Sequence, residues 1–198
     1  MNTRVQSELL SIQPLDELEA LHLSDALAWV ESGAPIFRVA KPATPPKHLV
    51  SYFAVVDEGN VLLVDHKNAK LWLPTGGHVE LGEDPRVTVV RELQEELGLT
   101  ISAEYVGSPL MVTVTETVGL TAGHTDVSLW YVIQGDQSAT LGFDREEFND
   151  VRWFPFGELP IGRCEPNLPR FLSKISRSSK RIRSLSVKCG KRQGGAET

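Results

Sequence analysis

Three glutamates on one predicted helix are the most reactive grouping in the sequence. Glu92, Glu95 and Glu96 stand at positions i, i+3 and i+4, so their carboxylates share one helix face. Like charges at this spacing destabilise a helix and require a compensating cation. Arg91 points about 100° away from Glu92 on the helical wheel, which favours a divalent metal held by carboxylate oxygens. On these residues alone, a solvated charged face is the more common explanation.

The residues around these glutamates add a fixed spacing. The segment GHVELGEDPRVTVVRELQEELGL, residues 77–99, matches the pattern G-x5-E-x7-R-E-U-x-E-E-x-G-U, with U apolar, at every fixed position. This pattern resembles the box of the Nudix hydrolase family. The preceding LWLPTGGHVE also resembles the entry to such a box, with Thr75 between Pro74 and Gly76 as a local departure.

The resemblance implies an enzyme and a mechanism. Nudix hydrolases are pyrophosphohydrolases, acting on phosphorus-containing acid anhydrides, that cleave the pyrophosphate of a nucleoside diphosphate linked to another group, with Mg²⁺ or Mn²⁺ and an attacking water. By motif position, the expected metal ligands are Glu83, Glu92, Glu95 and Glu96. Arg91 is expected to orient these glutamates through charge-assisted hydrogen bonds.

The acid that takes the water proton is not fixed by the box. Glu92 is one candidate, and an acid outside the box often serves in this family. In the run EEFNDVRWF we favour Glu147 over Glu146, and Glu116 is a weaker option.

Substrate contacts are expected from polar and aromatic residues near the box. Core packing or a local hydrogen bond is the commoner role for several of them. The candidates are Gly76, Gly77, His78, Trp72, Tyr52, His124 and Asp126.

The hydrophobic pattern indicates the elements that must position these groups. Short β-branched runs flank one long helix that has Pro85 in its first turn and Gly98 past its end. Together with the resemblance, this predicts an α/β fold: a Nudix α/β/α sandwich with a mixed β-sheet. Residues 5–31 read as helical, interrupted at Pro14, with Ser24 as a candidate cap of a last short helix.

Composition and charge divide the chain further. We predict an N-terminal helical extension and proline-rich linker over 1–47, a Nudix hydrolase domain over 48–175, and a basic, disordered tail over 176–198. Residues 174–198 hold eight basic residues and one acid; because the net charge is −6, the preceding part carries −13. Such an acidic body repels nucleic acid, so we do not expect a nucleic-acid partner. The resemblance implies a small nucleotide-type substrate.

Other features of the sequence bear on its location. Two cysteines cannot form a disulfide framework, and no apolar run is long enough for a membrane span. The N-terminus lacks the pattern of a secretory signal, so we expect a cytoplasmic protein without a membrane partner.

Several alternatives stay open at this point. The sequence does not choose the nucleotide, and a catalytically silent Nudix-fold module that senses a nucleotide or interacts with RNA is the alternative function. The leucine-rich N-terminal helices either cap the cleft or contribute to a homodimer.

Overall fold

A computed structural model describes residues 2–40, 44–117 and 123–177. Two helices precede the first strand, α1 (Asn2–Ser11) and α2 (Glu17–Glu31), and a third, α3 (Pro85–Leu97), follows the fourth strand. Residues 168–177 are helical and are called α4. The strands are β1 (Lys47–Asp57), β2 (Asn60–His66), β3 (Leu71–Leu73), β4 (Thr75–His78), β5 (Met111–Glu116), β6 (Thr125–Gln134) and β7 (Phe148–Pro155).

The strands form one mixed sheet around β1. Its main path runs β3-β2-β1-β6-β5, while β4 pairs with β1 and β7 pairs with β2. The β1–β6 pairing is parallel over ten residue pairs, from Lys47↔Thr125 to Val56↔Gln134. The register places His48 opposite Asp126 and, in the antiparallel β1–β4 pair, Val50 opposite His78.

Hydrophobic side chains cover both faces of this sheet. One core joins α1, α2 and α3 to the sheet through residues such as Leu9, Val30, Leu93 and Phe53. The opposite core joins α4 to the sheet, with Phe171 packed against Trp130 at a ring distance of 5.0 Å. The predicted α/β/α sandwich with a mixed sheet is therefore confirmed.

The two N-terminal helices are part of the main core. They separate near Pro14 as expected, but α2 begins after Asp16, whose side chain accepts a hydrogen bond from the Glu19 N–H, so Ser24 lies inside the helix rather than at a cap. Buried Val5, Leu9, Ala26 and Val30 belong to one cluster with the sheet. The domain boundary at 47/48 stays a prediction, and the predicted tail lies outside the described residues from 178 onward.

The ends of α3 follow the sequence signals. Asp84 caps its start by accepting a hydrogen bond from the Arg86 N–H, Pro85 is its first residue, and Gly98 ends it in the left-handed conformation at φ 67°. Helix α1 contacts this start through Arg4–Asp84 and Glu8–Arg86 ion pairs, each 2.7 Å long.

Within the residues that the structure describes, no helix combines the length and apolar character needed to cross a bilayer.

Candidate active site

A cleft of about 1090 Å³ opens on one face of the sheet. Alternate residues of neighbouring strands form its floor, because side chains two apart point to the same face: Tyr52 of β1, Thr113 of β5, and Ser128 and Trp130 of β6. Roughly 300–1,000 Å³ is usual for small-molecule sites, so this cleft is large enough for a nucleotide.

Helix α3 presents two of its three glutamates to this cleft. Glu92 and Glu96 line it, and their side chains are largely buried. Glu95 lies on the same helix, but its side chain is 59% exposed and lies 3.4 Å from the Arg91 guanidinium. The three carboxylates therefore share a helix face, but Glu92 and Glu96 are largely buried whereas Glu95 is exposed.

Two glycines bring strand β4 against these carboxylates. The Gly76 N–H donates a hydrogen bond of 3.1 Å to Glu96 Oε2. An ideal Cβ on Gly77 would lie 1.8 Å from Glu92 Oε1, far inside van der Waals contact. Only glycine leaves room at position 77 for the carboxylate of Glu92.

Arg91 contacts more residues of the box than its direction on the helical wheel predicts. Its side chain turns back so that Nε and Nη2 both contact Glu83 at 3.1 Å, and Nη1 contacts Glu92 at 2.6 Å. Nη2 also donates to the His78 carbonyl at 3.2 Å. A long planar guanidinium spans the angular separation that had favoured a metal over Arg91 as the compensating charge.

The pKa values of the glutamates separate into two groups. Burial, and then repulsion from neighbouring carboxylates including Glu147, raise the pKa of Glu92 and raise that of Glu96 well above the usual value. The pKa of Glu83, in contrast, lies below the ordinary value. Burial alone would raise it, but hydrogen bonds from Arg91 and Thr88 outweigh the effect of burial. Arg91 therefore helps to lower the pKa of Glu83 and only partly opposes burial at Glu92, whereas at Glu96 the hydrogen bond from the Gly76 N–H is what opposes burial.

The donor set fits a hard divalent cation. Glu92 and Glu96 supply buried carboxylate oxygens whose ionisation is opposed by burial and mutual repulsion, and a cation relieves both. Oxygen ligands of this type suit Mg²⁺ or Mn²⁺. Glu147 also lines the cleft and is close enough to affect both pKa values.

Other predicted residues take different places. Glu116 lines the cleft, whereas Glu146 is exposed and does not. Tyr52 also lines it, with its ring 4.7 Å from Trp130. Trp72 is buried and packs against Phe154, while its neighbours on β3 face the cleft.

The remaining predicted residues gather beside the glycines. His78, His124 and Asp126 lie together, and each histidine Nε2 is within 3.7 Å of Asp126 Oδ1. Burial lowers the pKa of His78 to about 3, with Asp126 opposing this and Arg38 adding to it. Burial likewise lowers the pKa of His124.

Sequence reasoning missed three residues of this region. His48 of β1 completes the histidine group, and the cleft is also lined by Arg38, from the segment before β1, and by Glu165. The parallel register between β1 and β6 brings His48 to Asp126, and a long-range pairing of this kind leaves no spacing signal in the sequence.

Comparison with known proteins identifies the same fold. A family model described as the NUDIX domain matches residues 47–175. A MutT-like protein from Streptomyces ambofaciens is 26% identical over 143 residues, which cover 71% of this chain and 86% of that protein.

Solved structures agree at lower identity. The MutT NUDIX hydrolase of Burkholderia pseudomallei superposes with a TM-score of 0.53 at 22% identity, covering 65% of this chain and 98% of that one. The MutT protein of Methanosarcina mazei gives a TM-score of 0.56 at 20% identity, covering 68% and 96% respectively. A Caenorhabditis elegans Ap4A hydrolase gives 0.50 at 19% identity, also covering 68% and 96%. At these identities the likeness shows the fold.

Proposed function

The chain belongs to the Nudix family and is a pyrophosphohydrolase acting on nucleotide-like substrates, and we propose that it cleaves a nucleoside diphosphate linked to another group, or a nucleoside triphosphate, with a divalent metal. The observation that carries the proposal is the convergence of Glu92 and Glu96 on Gly76 and Gly77 at the cleft wall. We further propose a cytoplasmic location.

The metal is assigned to the acidic wall of the cleft. Glu92 and Glu96 are the proposed principal ligands, with Glu95 and Glu83 as the further ligands of the box. When bound there, Mg²⁺ or Mn²⁺ would supply positive charge to the phosphate oxygens and would lower the pKa of the attacking water. Arg91 holds Glu83 and Glu92 in place by hydrogen bonds, so its contribution is orientation.

Glu147 is the proposed base for the attacking water. It projects from the segment before β7 into the same cleft as Glu92 and Glu96. Its neighbour Glu146 is exposed outside the cleft, which supports the preference for Glu147. Glu92 stays the alternative base.

The rest of the cleft supports a nucleotide substrate. The glycines allow the backbone of β4 to approach a phosphate, and Tyr52 offers an aromatic edge on the cleft floor. Relatives whose names contain MutT and Ap4A hydrolase suggest nucleoside triphosphates and dinucleoside polyphosphates as the first compounds to test. ADP-ribose-like sugars and CDP-alcohols complete the panel.

The proposal is tested by substrate turnover. The full chain is incubated with the panel, with Mg²⁺, with Mn²⁺ and with a chelator, and nucleotide products are separated and quantified. We expect metal-dependent cleavage that Glu92→Gln and Glu96→Gln each reduce at least about 100-fold, roughly 3 kcal/mol of transition-state stabilisation. Glu104→Gln, at an exposed glutamate outside the cleft, is the matched control.

Two results would contradict the proposal. Cleavage of no compound under any metal would leave the nucleotide-sensing module as the better explanation, and equal loss in Glu104→Gln would show that the glutamate variants act through general instability. A homodimer stays a prediction, and light scattering on the same sample measures it.

A further inference from the structure

Asp126 lies at the centre of three histidines, none of which occupies a fixed position of the Nudix pattern. Its Oδ1 is 3.3 Å from His48 Nε2, 3.4 Å from His124 Nε2 and 3.7 Å from His78 Nε2. All four ligand atoms fall within 4.8 Å of one another. We propose that these four residues form a second metal site, for Zn²⁺ or a similar borderline transition-metal ion, separate from the carboxylate site.

The distances fit ligands of one ion better than partners in hydrogen bonds. An N–H···O bond is usually about 2.7–3.2 Å long, and all three distances exceed this range. In a tetrahedral site with metal–ligand bonds of about 2.0–2.1 Å, neighbouring ligand atoms lie about 3.3 Å apart. The three separations from Asp126 are therefore close to the edges of such a tetrahedron.

Two buried atoms of the cluster lack a hydrogen-bond partner among the described residues. They are His48 Nε2 and Asp126 Oδ1, and they face each other. The His48 side chain is fully buried, so water does not reach it from solvent. Buried polar atoms are nearly always paired, and an ion between these two atoms supplies the partner for both.

The tautomer of His48 is the one that a metal requires. Its Nδ1 lies 2.7 Å from the Pro45 carbonyl oxygen, which only accepts, so Nδ1 carries the proton and donates it. This leaves Nε2 as the ring atom available to a metal, and it faces the Asp126 carboxylate. A metal-bound histidine typically donates its other N–H to such a carbonyl, which fixes the orientation of the ring.

Arg38 is the positive group that must be accommodated. Its Nη1 is 3.3 Å from His78 Nε2, and because a guanidinium only donates, His78 also presents a lone pair there. Metal binding would replace this contact and release Arg38 toward the cleft that it lines. His124 Nδ1 lies 3.3 Å from the Thr117 hydroxyl, and its Nε2 lies 3.4 Å from Asp126 Oδ1, so Nε2 is the ring atom that faces the cluster.

The donor set separates the two metal sites. Three imidazole nitrogens with one carboxylate favour Zn²⁺ and related ions, whereas the carboxylates of α3 favour Mg²⁺ or Mn²⁺. Four protein ligands complete a tetrahedron and leave no open position, which is typical of a structural zinc site. This assignment replaces the substrate contact expected of His78, His124 and Asp126.

The position of the cluster indicates what the ion would stabilise. His48 is the second residue of β1, His78 the last of β4, and Asp126 the second of β6, so one ion would join three strands. His78 directly follows Gly77, which abuts Glu92, and the His78 carbonyl accepts from Arg91. The ion would therefore hold the backbone that positions the carboxylates, as a positioning element outside the reaction.

Metal titration tests the proposal directly. The full chain, without any affinity tag, is stripped with a chelator and titrated with Zn²⁺ or Co²⁺ in excess Mg²⁺ that saturates the carboxylate site. We expect one bound equivalent, the intense visible absorption of tetrahedral Co²⁺, and a rise in melting temperature. Asp126→Asn and His124→Gln should each weaken binding about 100-fold or more, while the Glu92→Gln/Glu96→Gln double variant should retain it.

The possible contrary results are specific. Binding that persists in Asp126→Asn and His124→Gln, or is lost in the Glu92→Gln/Glu96→Gln variant, would overturn the proposal, as would no binding by the folded parent. Circular dichroism of each variant checks folding; if Asp126→Asn fails to fold, His124→Gln and His78→Asn decide the question. Because these measurements do not use turnover, they fail or succeed independently of the proposed hydrolase activity.

Discussion

The Gly76 N–H donates to Glu96 Oε2 across 20 positions of sequence, at 3.1 Å. This bond joins β4 to the cleft-facing side of α3 and leaves the buried carboxylate only partly compensated. One residue further along, Gly77 lies so close to Glu92 that a Cβ at this position would overlap the carboxylate. The two glycines of β4 are therefore packed directly against the two glutamates of α3. A substitution in the strand should displace a carboxylate of the helix.

Gly77→Ala should impair catalysis by displacing Glu92. The new methyl group would lie 1.8 Å from Glu92 Oε1, and the flexible carboxylate is the atom group that moves. We expect turnover to fall by about 100-fold, with a smaller loss of stability. Metal titration and steady-state kinetics measure the effect. Gly107→Ala, where a Cβ meets nothing within 4 Å, is the matched control; equal activity of the two variants would contradict the prediction.

Glu147→Gln should slow the chemical step while leaving metal affinity nearly unchanged. Loss of a general base typically costs about 10²–10⁴-fold in rate. Single-turnover rates together with metal titration separate the two effects. Glu146→Gln next to it should behave like the parent; similar losses in both variants would remove Glu147 from the proposed role.

Arg91→Lys should reduce activity despite keeping the charge. A lysine ammonium cannot reproduce the contacts of the guanidinium to Glu83, Glu92 and the His78 carbonyl at once. We expect a loss of about 10–100-fold in kcat/KM, as for other groups that orient metal ligands. Arg152→Lys, at a mostly exposed side chain on β7, serves as the control. Full activity of Arg91→Lys would show that charge alone suffices.

The site was predictable from sequence where its parts are local. Glu92, Glu96 and Arg91 lie within one helix, and the spacing of the box places them without knowledge of the sheet. His48 and Arg38 were not predictable, because the β1–β6 register brings His48 beside Asp126 and Arg38 reaches the cleft from the segment between α2 and β1. Arg91 shows a second limit of sequence-based prediction. A helical wheel gives only the direction of the Cα–Cβ bond, whereas a long side chain can bend and bind groups that lie in another direction.

The fold, like the site, was predictable where a feature depends on neighbouring residues and not where it depends on tertiary contacts. Pro85 and Gly98 delimited α3 correctly, because capping depends on neighbouring backbone groups alone, and the structure adds Asp84 as the N-cap. Ser24 has a good capping residue type, yet it lies inside α2, since Asp16 supplies the cap and the apolar face continues to Val30. Tertiary burial decided the choice between two acceptable caps.

The ion pair between Lys174 and Glu19 should be essential to the packing of α4 on α2. Glu19 is 1% exposed and also accepts the Leu15 N–H at 2.7 Å, so removing its cation leaves a buried charge. We expect Lys174→Met to lower the free energy of unfolding by about 3 kcal/mol. Denaturant unfolding measures this. Glu19→Gln/Lys174→Met should recover most of the loss, and a double variant no better than the single one would contradict this account.

His22 should make stability depend on pH. It accepts the Val114 N–H through Nδ1 at 3.2 Å, and burial, then the charge of Arg170, lower its pKa below the usual 6.5. A lowered histidine pKa means that the unfolded chain takes up the proton first, so stability falls as pH drops below about 6.5. We compare free energies of unfolding at pH 8 and pH 5.5. The difference should shrink in His22→Gln, and an unchanged difference would exclude this residue as a source.

The shared core of α1, α2 and the sheet has a consequence for how the protein is divided. The family match begins at residue 47, a limit drawn from common ancestry, whereas Val5, Leu9 and Val30 are buried with the strands that follow. A fragment of residues 47–175 would expose to water the hydrophobic surface that α1 and α2 cover in the full chain, and such a fragment would self-associate. In this chain, the portion that relatives share is smaller than the portion that must fold together.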